Sequence, residues 1–216
     1  MVGTKHLKGW LAASNRGILA KEKGEEKTEG EEEGRDLWGK LVDLTQISFR
    51  EGEMAEEATW QTVVLIPKGK KEYGGIGLVE VTWKVVAAIL YCRLTTAITY
   101  HDALHGFREG RGTGTATLKA KLLQQLAAMR EEVFLDLTKV YDALDRSRSL
   151  EILKGYGVGQ RVRRLLREYW NKLTMVARAG GYYRTGFKGE RGVTQGNLLS
   201  PTILNVVVDH RTHHHI

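Results

Sequence analysis

Phe134-Leu135-Asp136-Leu137-Thr138-Lys139-Val140-Tyr141-Asp142 is the stretch on which the reading of this chain turns. Val133, Leu135 and Leu137 alternate with Phe134 and Asp136, the period of a strand with one apolar face. A carboxylate therefore stands at the C-terminal end of the expected strand. Nucleotidyl transfer uses an acid fixed in that way to hold a divalent metal. Two acids at the spacing of Asp136 and Asp142 also describe a strand end followed by a helix cap, and this segment alone leaves both readings open.

Downstream, Arg161 to Leu173 sets Val162, Leu165, Leu166, Tyr169, Trp170 and Leu173 on one helical face and its basic residues elsewhere. The preceding Gly155-Tyr156-Gly157-Val158-Gly159 lacks the spacing and the leading strand of a dinucleotide fingerprint, so it is expected to stop a helix. Thr174 to Ala179 and Tyr182 to Lys188 form an expected hairpin around Gly180-Gly181. Ser200 as N-cap and Pro201 in the first turn predict a last helix. Upstream, Thr62 to Ile66 is a β-branched run closed by Pro67 and the lysine-rich loop Lys68-Gly69-Lys70. Val81 to Ile98 and Leu118 to Val133 predict two core-facing helices, the second through Leu118, Leu122, Leu126 and Met129. A glycine-rich basic loop, Gly106 to Gly114, lies between them, and its threonines are expected to cap the second helix. Strands and helices alternate without a strict βαβ repeat, which predicts an α+β fold with helices on one face of the sheet.

Charge divides the chain. Residues 1–58 carry nine basic and thirteen acidic side chains, net −4, whereas the remainder carries twenty-four and thirteen, net +11. A folded region so basic attracts polyanions, of which nucleic acid is the commonest. Lys21 to Arg35 contains no apolar residue, and we expect residues 1–58 to be acidic and largely disordered. The single Cys92 permits no internal disulfide, and the longest apolar run, Val85 to Cys92, is too short to span a bilayer. The expectation is a soluble intracellular protein, in nucleus or cytoplasm, without a membrane partner.

Arg191-Gly192-Val193-Thr194-Gln195-Gly196-Asn197-Leu198-Leu199-Ser200-Pro201 adds a second informative segment. Together with residues 134–142 it resembles the reverse transcriptase family. The first segment is similar to that family's motif A and the second to its motif B. Val64 to Lys70 with Ile76-Gly77-Leu78, and His105 to Arg108 with Gly110-Arg111, are similar to its two fingers motifs. Four motifs in family order cover about Gln61 to Asp209, with the flavour of non-LTR retroelement and group II intron enzymes.

The resemblance implies the fingers and part of the palm of a right-hand polymerase over residues 59–209, with an incomplete antiparallel palm sheet. It implies an RNA-directed DNA polymerase using Mg2+, an RNA template, a DNA primer and deoxynucleoside triphosphates. Asp136 would be the catalytic metal ligand, helped by the carbonyl of Leu137. Tyr141 would lie under the sugar of the incoming nucleotide, and Gln195 and Gly196 would border the new base pair. Lys68, Lys70 and Arg108 would face the triphosphate and template. Lys71, Arg111, Arg163, Arg164 and Arg167 would contact nucleic acid.

Three departures cut against activity. Tyr73-Gly74-Gly75-Ile76 stands where the family usually has Tyr-Arg-Pro-Ile, and Asn197-Leu198 where it usually has Asp-Pro. No Tyr-x-Asp-Asp segment occurs in the 216 residues, so the expected metal site lacks the further carboxylates it needs. The expectation is therefore a truncated, inactive polymerase piece, completed if at all by another polymerase chain. The alternative is a non-catalytic retroelement remnant that binds nucleic acid through its basic face. Residues 210–216 read as a His-rich irregular tail.

Overall fold

The computed structural model describes residues 29–67, 73–126, 136–179, 182–183 and 186–213, with side chains from Asp36 to Arg211. The first element is a long helix, α1 (Glu29–Glu51). A 3-10 turn (Glu57–Thr59) then leads into the hairpin β1 (Trp60–Pro67) and β2 (Tyr73–Val79). Helix α2 (Val81–Ala97) follows directly, its amino end capped by the Glu80 carboxylate, which accepts from Thr82 N at 2.9 Å. Next come α3 (Thr113–Leu126), the single turn α4 (Val140–Ala143), α5 (Arg146–Gly155) and α6 (Gln160–Lys172). Strands β3 (Thr174–Ala179) and β4 (Tyr182–Tyr183) precede the last helix, α7 (Leu199–His213).

The four strands form one sheet in the order β2-β1-β3-β4. Both hairpins are antiparallel, while β1 and β3 run parallel from Trp60↔Thr174 to Val64↔Arg178. The α+β class is as expected, and the sheet is mixed because β1 pairs with a strand reached only after five intervening helices. The hairpin from Thr174 has the expected pairing, Ala179↔Tyr182, and a bridge Met175↔Phe187 continues it. Its turn glycines, like the strand residues 133–135 and Lys68, Lys70 and Lys71, lie outside the described residues.

Helices α2, α5, α6 and α7 enclose the core. Trp83 from α2 and Tyr169 from α6 stack with centroids 3.6 Å apart and planes 3° from parallel. Leu90, Leu153, Leu165, Leu166 and Val206 complete the interior. The apolar face expected of α6 is therefore the buried one. Burial also raises the Tyr169 phenol well above its ordinary value, so it stays neutral in the core.

Four expectations need correction. Residues 29–35, assigned above to a disordered stretch, are helical, and α1 packs on α2 and α6. The polar start of this helix precedes Leu41, Thr45 and Ser48, which supply partly or fully buried positions farther along. Helix α3 begins at Thr113 rather than near Leu118, and it buries no residue: Leu118, Leu122 and Leu126 are 60%, 50% and 84% exposed. Ser200 lies inside α7, and the capping side chain is Asn197, whose Oδ1 accepts from Leu199 N at 3.1 Å. Residues 210–213 extend α7 instead of forming an irregular tail.

Candidate active site

The segment after Asp136 turns sharply before α4. Lys139 holds the left-handed conformation, φ 49°, ψ 39°, and its carbonyl accepts from Asp142 N and Ala143 N, both at 3.0 Å. A non-glycine residue pays a local conformational cost there, so the turn must be supported from outside. The support comes from residues 189–193. Val193 N donates to Tyr141 O and Gly192 N to Leu144 O, each at 2.8 Å. Gly192 has φ +80°, and any Cβ on it would lie 2.8 Å from the carbonyl oxygens of both Tyr141 and Asp142. Only glycine fits that approach.

Arg146 ties the same two segments from below. Its Nε donates to Gly192 O at 2.8 Å, and its Nη1 to Gly189 O at 2.5 Å. Burial lowers its guanidinium pKa, so three carbonyl acceptors, counting Trp170 O at 3.3 Å, compensate a partly desolvated cation.

The seam continues to the β1–β2 hairpin. Gly77 N donates to Gln195 O at 2.7 Å. Gly196, with φ +102°, sits so close to Gly77 that a Cβ would run into the Gly77 carbonyl. Beneath Gly77 lies the carboxamide of Gln61, 1% exposed, with neither its nitrogen nor its oxygen hydrogen-bonded among the described residues. Farther along, Ser200 Oγ donates to Thr194 O at 2.7 Å, so the Thr194–Asn197 turn is locked onto the start of α7.

The expected site residues are thus only partly brought together. Tyr141, half-buried with its phenol pKa raised by burial, shares one hydrogen-bonded seam with Gln195 and Gly196, both exposed at its other end. Asp136 and Leu137 lie in exposed chain leading into that seam. Arg108 is engaged by its own loop: Nη1 donates to His101 O at 2.9 Å and Leu104 O at 2.8 Å, and the guanidinium lies over the Tyr100 ring. Arg111 pairs with Asp102, and Lys119 reaches the same carboxylate at 3.1 Å. The two hydrogen-bonded cations hold the Asp102 carboxyl down to about 2. Arg163, Arg164 and Arg167 line a different depression with Lys154 and Gln160.

Two α7 residues were not anticipated. Asn205 Nδ2 donates to Gly106 O at 2.8 Å. Asp209, fully buried, accepts from His101 N at 2.7 Å and from the Tyr156 hydroxyl at 2.5 Å. They pin the basic loop 101–111 to the helix that follows the Gly192–Gly196 segment. Two polar residues four apart, Asn205 and Asp209, flanking the apolar run Val206 to Val208, were the available signal.

A mixed sheet backed by helices, with two glycine-dependent backbone approaches joining its hairpin to the segment that follows Asp136, matches part of the fingers and palm of a polymerase. Residues 66–214 match the family described as reverse transcriptase (RNA-dependent DNA polymerase), and the chain belongs to that family. It is also similar to the Retrovirus-related Pol polyprotein from type-1 retrotransposable element R2 of Popillia japonica, at 25% identity over 178 residues. That alignment covers 77% of this chain and 25% of the relative, so the chain spans about a quarter of the length of the curated relative it matches. The family acts on RNA and DNA with deoxynucleoside triphosphates and a divalent metal. Among the described residues no three His, Cys, Asp or Glu side chains cluster as a metal site, so the described residues do not by themselves complete a site for the metal. No helix among the described residues is long and apolar enough to cross a membrane.

Proposed function

We propose that this chain supplies the nucleotide-facing and template-facing side of an RNA-directed DNA polymerase active site, acting in a soluble intracellular setting. The observation that carries this is the seam itself: Val193 N on Tyr141 O and Gly77 N on Gln195 O join three separate parts of the chain. In such a frame Tyr141 would set the floor under the incoming sugar and exclude a 2′-hydroxyl by contact. Gln195 and Gly196 would border the new base pair, glycine allowing close backbone approach. Lys68, Lys70 and Arg108 would neutralise triphosphate or template charge, with Lys71 and Arg111 on the nucleic acid. Asp136, with the Leu137 carbonyl, would be one ligand for Mg2+, and two-metal chemistry requires carboxylates beyond it.

The absence of a three-ligand cluster among the described residues favours a second reading, a chain that binds primed template without turnover. Primer extension on a primed RNA template in Mg2+, with Asp136→Ala beside the wild type, tests both. Template-dependent incorporation lost in Asp136→Ala establishes a working polymerase. Tight binding of primed template without incorporation leaves the binding reading alone. Neither binding nor incorporation sinks both readings.

A further inference from the structure

Two apolar surfaces of this chain are left uncovered by its described residues, and they carry opposite charge. The first is a depression of about 540 Å3 where the carboxyl end of α1, the 3-10 turn after it and the start of α2 meet. That volume is within the roughly 300–1,000 Å3 of sites that enclose a whole ligand. Exposed Leu44 and Ile47 line it together with buried Met54 and Ala58. The charged residues around it are Glu51, Glu53, Glu57 and Glu80, and no cation lines it. Local partners offset only part of this charge. Arg50 meets Glu51 at 2.7 Å and Arg164 meets Glu53 at 2.6 Å, both at the surface, where such pairs are weak.

The second surface is α3. Leu118, Leu122 and Leu126 stand four residues apart and make one row along the helix, with Leu123 beside them, all half exposed or more. The charged residues of this helix are Lys119 and Lys121, without an acid among its fourteen residues. Lys119 reaches Asp102 at 3.1 Å, and Lys121 is exposed.

We propose that α3 of one copy of this chain seats in the α1–α2 depression of a second copy. The leucine row supplies the apolar anchors of a helix laid in a groove, and Leu44, Ile47 and Met54 supply the apolar surface that receives them. Charge selects this pairing over the simpler one. Two α3 rows packed on each other would also bury leucines, but they would gather the lysines of both copies at one contact. Against the depression the same lysines meet carboxylates. The contact joins unlike surfaces, so one intact helix and one intact depression suffice for a pair. Neither surface includes a residue of the seam of Tyr141, Gln195 and Gly196, so the proposal stands or falls independently of the polymerase reading.

Sedimentation velocity of the full 216-residue protein over a concentration series tests it with two variants. Leu122→Glu/Leu126→Glu spoils the helix row and leaves the depression, whereas Leu44→Glu/Ile47→Glu spoils the depression and leaves the helix. Circular dichroism checks that each is folded. The wild type should associate, and each variant alone should do so at least about tenfold more weakly. An equimolar mixture of the two variants should regain a 1:1 complex that loosens as salt rises. Where a double variant fails to fold, Lys121→Glu and Glu57→Lys, both at exposed sites, repeat the test: each alone weakens association, and their mixture restores it. A wild type that stays monomeric overturns the proposal. So does undiminished association of Leu44→Glu/Ile47→Glu, which marks helix row on helix row. Failure of the folded variants to pair on mixing overturns it as well, because the two surfaces then do not recognise each other.

Discussion

Helices α3 and α6 both carry large apolar residues at helical spacing, and the molecule uses them in opposite ways. In α6, Leu165, Leu166, Tyr169 and Trp170 are at most 6% exposed, held against α2, α5 and the stacked Trp83. In α3, Leu118, Leu122, Leu123 and Leu126 are all at least 50% exposed. The difference lies in what surrounds each helix. The preceding helix α5 and the distant α1 pack on α6, whereas α3 is tethered at its amino end by polar contacts of its loop, including Thr115 Oγ1 to Gly112 O at 2.8 Å. Amphipathic spacing shows that a helix has a face to bury; it does not supply the surface that buries it.

That contrast can be broken or sharpened by measurement. Leu166→Ala, at a site with no exposed surface, should cost about 3 kcal/mol in urea unfolding through lost transfer and cavity terms. A loss below about 1 kcal/mol would mean that the α6 side of the comparison is loosely packed. Asp209→Ala should cost about 2 kcal/mol, because the Tyr156 hydroxyl and His101 N lose a buried acceptor. Hydrogen exchange should then rise in residues 101–111, and a purely global change would separate Asp209 from that loop. Asn197→Ala should cost about 1 kcal/mol as a lost helix cap, with Asn197→Asp retaining most of the stability; equal losses in the two would refute the cap.

Leu122→Glu/Leu126→Glu should change unfolding free energy by less than about 0.5 kcal/mol while lowering self-association in sedimentation. A large destabilisation would show that α3 is buried in solution. The smallest effect concerns Asp102. Its carboxyl is held down to about 2 by Arg111 first and Lys119 second, so its contribution is present above the ordinary carboxylate range and lost as pH falls from there through about 2. In an NMR titration, Arg111→Gln should move that midpoint back up toward the ordinary value near 4, and an unmoved midpoint would discount the pair.

Much of the candidate site was legible in the residues. Tyr141, Gln195 and Gly196 belong to two short segments whose order and composition point to one chemistry, and the structure joins those segments through backbone hydrogen bonds. Asn197 is instructive in the other direction. As a departure from Asp it reads as a loss, yet its carboxamide still accepts from Leu199 N, because capping needs an oxygen at that position and not a charge. The family resemblance implies that Arg108 faces the triphosphate and template and that Arg111 contacts nucleic acid. Their partners within loop 101–111 are carbonyls and Asp102, which no spacing rule would have indicated.

By itself the sequence determined the family, the α+β class, the buried face of α6 and the glycines at 192 and 196, because each follows from local period, steric limits or short ordered motifs. Tertiary structure alone decided that β1 runs parallel to β3, that Gly77 meets Gln195, that Arg146 and Asp209 act as ties, and that α3 stays uncovered. Those outcomes depend on which distant surfaces meet. A side chain's type states what it can bond, and only the folded chain states what is within reach.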